Sequence, residues 1–126
     1  MGCGGSKKAA AEAPKTPVIE KKDTKIEAIS DGITIAELME NKEKYAGKEV
    51  KLKGKVTKYN PAIMNANWFH MQDGTDFEGE FDLTVTTSAE VKLDQIVTIK
   101  GMVTLNKDFG AGYFYAIIIE QAEIIK

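Results

Sequence analysis

The sequence predicts a mainly β protein: a five-stranded OB-fold Greek-key barrel with a short N-terminal helix and a disordered N-terminal tail. Three observations carry that expectation. Residues 50–56 and 97–103 repeat one pattern, alternate apolar positions with Gly54 or Gly101 placed where a further one should sit. A mid-strand glycine marks a bulge, a bend or a close backbone approach, and two long strands interrupted this way can turn the corners of a small barrel. Between them lie two shorter alternating runs at 67–72 and 81–85, and the chain closes on a nearly continuous apolar run at 113–119.

Size and charge narrow the options. With 126 residues, 43% hydrophobic and 29% charged, the chain supports one small core plus an appendage. A net charge of -2 argues against the sequence-independent phosphate grip of basic nucleic-acid binders. The single cysteine cannot form an internal disulfide, and no run approaches the roughly 18 apolar residues of a membrane span.

Residues 1–25 are mostly Gly, Ala, Lys, Glu and Pro, too poor in large apolar side chains to offset ordering entropy, and read as a flexible tether to a domain spanning 26–126. Its first residues, Met1-Gly2-Cys3-Gly4-Gly5-Ser6-Lys7-Lys8, allow two lipid attachments. One is N-myristoylation at Gly2, with Ser6 in place and two lysines to meet anionic lipid, on the cytoplasmic membrane face. The other is acylation of Cys3, as at the mature end of a bacterial lipoprotein; that route needs a signal peptide, and the sequence contains no apolar stretch of that kind. A glycine-rich start without function is the third reading.

The entry helix is expected near 35–42. Thr34 is placed to cap it, Glu37 to complete a capping box, and Ile33 and Leu38 to form the hydrophobic staple. Ile35, Leu38 and Met39 then share a face that would plug one end of the sheet. Inward positions on the strands are Val50, Leu52, Val56, Phe69, Met71, Phe81, Leu83, Val85, Val97, Ile99 and Val103, and the last strand should be covered on both sides. The helix that often links the third and fourth strands of an OB-fold is missing from the pattern. An SH3-like barrel fits the two long glycine-interrupted strands less well.

The only Trp and the only His fall on one short strand, Asn67-Trp68-Phe69-His70-Met71-Gln72. Period two sends Phe69 and Met71 to the core and leaves Trp68, His70 and Gln72 as an outward platform. Binding in this fold uses the second and third strands with the loops joining strands one to two and four to five, here 59–66 and 106–112. The expected cleft therefore has Trp68, His70 and Gln72 as floor, Met64, Phe109 and Tyr113 as walls, and Asn67 and Asp108 beside them. In the alternative, Met64 and Phe109 fold over the barrel mouth as lids with Trp68 beneath.

From Thr34 onward the chain resembles a family of small bacterial envelope lipoproteins with an OB-like domain, described as DNA-binding or as related to a protein of the nitrite-reductase gene cluster. The resemblance rests on Asn60-Pro61-Ala62-Ile63-Met64, on Asn67-Trp68 with His70 and Gln72-Asp73-Gly74-Thr75, on Asp82-Leu83-Thr84-Val85-Thr86-Thr87, and on Lys107-Asp108-Phe109-Gly110-Ala111-Gly112-Tyr113. It implies the fold and an envelope address, with lipid at Cys3, rather than a mechanism. A single myristoyl chain anchors only marginally, which also favours Cys3.

The same residues admit other chemistries. Single-stranded nucleic acid or an oligosaccharide could lie on this face, with Lys51, Lys53 and Lys55, flanked by Lys48 and Lys58, as phosphate contacts. Alternating lysines also describe a solvated strand face, and Asp73, Asp76, Glu78, Glu80 and Asp82 on the neighbouring hairpin would repel phosphate. Those carboxylates lack EF-hand spacing. His70 with Met64 or Met71 suggests a haem or copper carrier, but Met71 should point the opposite way. Asp108 could approach His70, yet no activated nucleophile accompanies them, so neither catalysis nor a cofactor is expected. The leading expectation is a non-enzymatic, membrane-tethered module that binds a protein, peptide or small molecule.

Overall fold

The computed structural model describes residues 20–110 and 112–125. Two short helices, α1 (Ile35–Glu40) and α2 (Lys42–Tyr45), precede five strands: β1 (Glu49–Ile63), β2 (Ala66–Gln72), β3 (Leu83–Thr87), β4 (Ile96–Asp108) and β5 (Phe114–Ile125). They form one sheet closed in the order β1-β2-β3-β5-β4, with β4 returning to β1. Every neighbouring pair is antiparallel except β3 and β5. No helix lies between β3 and β4, in line with the sequence pattern.

Alternation decides the core. Val50, Leu52 and Val56 of β1 meet Phe69, Met71, Leu83, Val85, Val97, Ile99 and Val103 inside, all at most 7% exposed. Ile35, Leu38 and Met39 of α1 join the same cluster as the predicted plug. Phe81 departs from expectation: β3 begins two residues later, and Phe81 is half-buried outside the sheet. The last strand is also longer and more open than predicted. Only Ile117, Ile118 and Ile119 are buried in succession, while Phe114 and Ala116 are exposed.

The two strand glycines serve different purposes. Gly54 pairs in regular register with Val97, and its missing Cβ lets β2 approach: an added one would lie 2.7 Å from Met71 Cε and 3.0 Å from the Gln72 carbonyl. Gly101 sits inside a register shift between β4 and β5, where an added Cβ would meet Ile119 Cγ2 at 2.5 Å. The first is therefore a contact point; only the second coincides with a bulge.

Asp73 ties the helix to the barrel. It is 2% exposed, and its Oδ2 accepts from the Ile35 amide at 2.9 Å, while Thr75 Oγ1 accepts from Ala36 at 2.9 Å. Thr34 Oγ1 caps Glu37 N as expected, but Glu37 accepts from the Tyr45 hydroxyl, so only half of the capping box forms. Asn41 interrupts the predicted single helix and starts α2. Ahead of α1 the chain lies along the barrel, donating from Lys22 N to Gln72 Oε1, from Ile26 N to the Asp73 carbonyl and from Ile33 N to the Lys51 carbonyl.

Two stability predictions follow from these contacts. Replacing Asp73 by Ala orphans the Ile35 amide at the buried start of α1 and the Thr75 amide beside it, and should cost about 2–3 kcal/mol in urea unfolding. Gly101→Ala should cost about 1–3 kcal/mol and more than Gly54→Ala, since Met71 Cε is the movable end of a flexible side chain.

Candidate functional site

The β1–β2 hairpin shapes one side of a cleft of about 780 Å3. Val56 pairs with Met71 but Lys58 with His70, so Thr57 is an extra residue on β1. This bulge reverses the alternation, turning Lys58 and Asn60 outward beside His70 and Trp68. The hairpin ends in a two-residue turn, Met64 and Asn65, at φ 50° and 64°, flanked by the Ile63–Ala66 pair. Both central residues at positive φ give the mirror-type turn that suits strand twist, and that conformation is costly for a methionine.

The opposite wall is the β4–β5 hairpin. Phe109 meets the Trp68 ring edge-on with centroids 4.9 Å apart, and Tyr115 lies 5.7 Å from Trp68. Trp68 Nε1 donates to the Ile63 carbonyl at 2.8 Å. The indole is consequently only 7% exposed, yet it lies outside the barrel core, in a second apolar layer on the outer face. An open platform is thus corrected to a covered one, and Phe109 is the residue that covers it. Met64 does not act as a lid: it is 51% exposed, and with Ile63, Tyr113 and the 56% exposed Phe114 it forms an apolar rim on the same cleft. Burial, with Tyr113 nearby, raises the Tyr115 hydroxyl pKa above its ordinary value.

A polar chain runs beneath this rim. Asp82 Oδ2 lies 2.5 Å from His70 Nδ1, and its Oδ1 accepts from Gln72 Nε2 at 3.0 Å. Asp82 thus engages the Nδ1 edge of an imidazole ring that borders the cleft. Gln72 itself is 1% exposed; its amide also donates to the Glu20 carbonyl and accepts from Lys22 N. It is a buried tie rather than part of the floor.

Five further predicted residues resolve differently. Asn67 spans the turn, accepting from Ala62 N and donating to the Ala89 carbonyl, so its amide is committed to the scaffold. Asp108 accepts from Gly110 N within its own loop; Asp82, not Asp108, pairs with His70. Lys51, Lys53 and Lys55 point outward from the part of β1 that pairs with β4, away from the cleft lining. Lys51 pairs with Asp31 at 2.6 Å and Lys55 approaches Asp94 at 3.9 Å.

The acidic hairpin also disperses. Asp73 caps α1, Asp82 holds His70, and Asp76 accepts from Gly79 N and pairs with Lys21; those two contacts lower its carboxyl pKa. Among the described residues no group of three metal-ligating side chains converges, and no helix is long and apolar enough to cross a membrane. Cys3 lies outside the described residues. Sequence reasoning missed Phe114 and Tyr115, read there as ordinary apolar strand positions, and placed Lys58 only as a flank of the strand lysines and Asp82 only among the hairpin carboxylates. Compared with protein-family models, curated proteins and solved structures, the chain matches none.

The strained turn yields a separable prediction. Met64→Asn should raise unfolding stability by about 1 kcal/mol, because asparagine tolerates the left-handed region, while removing apolar surface from the rim. Thermal denaturation compared with binding to the cleft reads both effects.

Proposed function

We propose that this chain is an OB-type binding module whose cleft takes an aromatic or apolar group of a peptide, protein or small molecule. The supporting observation is the convergence of four exposed large apolar side chains, Ile63, Met64, Tyr113 and Phe114, on one cleft. Exposed apolar surface gathered at one place is the mark of an interaction site. The strand order and the position of the cleft between the β1–β2 and β4–β5 hairpins support the OB assignment, since that fold binds through the second and third strands and those loops. The cleft combines apolar walls with a small polar group, the oriented imidazole of His70, which is the usual composition of a ligand pocket.

Nucleic acid is the weaker reading. Lys58 is the lysine that lines the cleft, against Glu80 and Asp82, and the three strand lysines face elsewhere. The Gly2-Cys3-Gly4-Gly5-Ser6 segment and the family resemblance support a lipid tether at Cys3 and an envelope address for the module. Intact-mass spectrometry of membrane-extracted protein should show an acyl mass on the peptide carrying Cys3; an unmodified thiol there sinks the tether.

Trp68 is the only tryptophan, so its emission reports on the cleft alone. Titration with p-cresol should shift or quench that emission, Phe109→Ala should weaken the response, and 0.5 M salt should leave it unchanged. Emission indifferent to p-cresol and to a panel of aromatic and aliphatic probes would sink the proposal. A response that collapses with salt would instead favour phosphate binding.

A further inference from the structure

Closure of the barrel between β3 and β5 is short. The parallel ladder there consists of Val85 with Ile119 and Thr87 with Ala122, separated by a register shift. Upstream of Val85 and Ile119 the two strands are not paired. Yet β5 continues back to Phe114, held on its other side by β4 through Asp108 with Phe114, Lys107 with Tyr115, Leu105 with Ile117 and Thr104 with Ile118. Residues 114–118 of β5 thus form one edge of a sheet, and that edge opens into the cleft, which Phe114, Tyr115, Ala116 and Ile117 line.

The direction of its backbone groups follows from the far side of β4. Val103 donates to the Lys48 carbonyl and accepts from Gly47 N, so its peptide groups face away from β5. Its partner Ile119 therefore turns its own groups away from β4, toward Val85. Backbone groups alternate sides along a strand. Ile117, two residues upstream and opposite Leu105, consequently directs its N–H and C=O the same way, where β3 offers no ladder partner.

We infer that the cleft takes an extended peptide as an added strand along this β5 edge, with an apolar side chain seated against the rim of Met64 and Phe114. This rests on the reading of the cleft as a binding site and specifies its ligand. Strand addition needs an unpaired edge with room beside it for side chains, and the cleft along residues 114–117 supplies that room. Five residues at about 3.3 Å each make an edge of about 17 Å, the span of an ordinary strand. A hydrocarbon or a single ring would fill the apolar rim but leave the peptide groups of Ile117 unanswered; only a polypeptide presents donors and acceptors at strand spacing.

The test uses the whole protein and a phage-displayed library of random linear nonapeptides. Selected sequences are synthesised in three forms: unmodified, N-methylated at odd backbone positions and N-methylated at even ones. Affinity is read from Trp68 emission and amide exchange by NMR. One methylated set should bind at least about tenfold more weakly than the parent and the other close to it, since only alternate residues bond to the edge. Exchange of the Ile117 amide should slow on binding. If p-cresol binds while the library yields no ligand, or both methylated sets bind like the parent, strand addition is overturned and the cleft reading stands. If neither probe class binds, both fall. Concentration-dependent dimerisation that protects the Ile117 amide without peptide assigns the edge to a second copy and also overturns the inference.

Discussion

The brevity of the β3–β5 seam sets the character of this molecule. Two pairings close the ring, enough to define an interior, and the unpaired stretch beside them becomes a slot. Parallel pairing is somewhat weaker per residue than antiparallel pairing, so a short parallel seam is the place where a barrel opens most cheaply. Below the slot the core is apolar and continuous, from Ile35, Leu38 and Met39 through Phe69 and Met71 to Ile119. Above it, the long arms of β1–β2 and β4–β5 project past the closed ring and meet through Trp68, Phe109 and Tyr115. The aromatic contact braces the far parts of two hairpins that the sheet joins only where Glu49–Lys55 pairs with Ile96–Met102.

That division yields two apolar layers with different duties. The inner layer follows strand alternation and stabilises the ring by removing area from water, at about 25 cal/mol per Å2. The outer layer violates the expectation that one strand face is solvated. Trp68 and Gln72 lie outside the core cluster and are almost fully buried, Trp68 against Phe109 and Tyr115 of the β4–β5 arm and Gln72 against the segment ahead of α1. Apolar side chains that this outer layer leaves uncovered gather at the cleft rim, so exposure there is a consequence of where the arms stop.

The inner layer was legible in the sequence because period two is a local signal: Val50, Leu52, Val56, Val97, Ile99 and Val103 announce themselves within a few residues. The plug was legible for the same reason, through Thr34 and the spacing of Ile35, Leu38 and Met39. The outer layer was not, because its partners are remote: Gln72 is held by Lys22 N and Glu20 O, 50 and 52 positions away. The place of Lys58 beside His70 was missed for a third reason. A single extra residue at Thr57 reverses the alternation, and nothing in Lys55-Val56-Thr57-Lys58 marks a bulge. Phe81 failed in the opposite sense, since its alternation with Leu83 and Val85 continues past the point where pairing stops.

Remote contact and site chemistry meet in one hydrogen-bonded line. Backbone groups of Glu20 and Lys22 fix the Gln72 amide, Gln72 Nε2 fixes Asp82, and Asp82 fixes His70 through Nδ1. Each link removes a rotational freedom from the next, so the orientation of the imidazole depends on a segment that composition assigns to a tether. Buried polar networks of this kind are specific when every member is satisfied and costly when one is missing. Gln72 has both amide atoms engaged and Asp82 both oxygens, and the line ends at the His70 ring, which borders the cleft. The residues just before Ile26 therefore belong mechanically to the cleft, and the boundary between tether and domain is drawn by hydrogen bonds rather than by hydrophobicity.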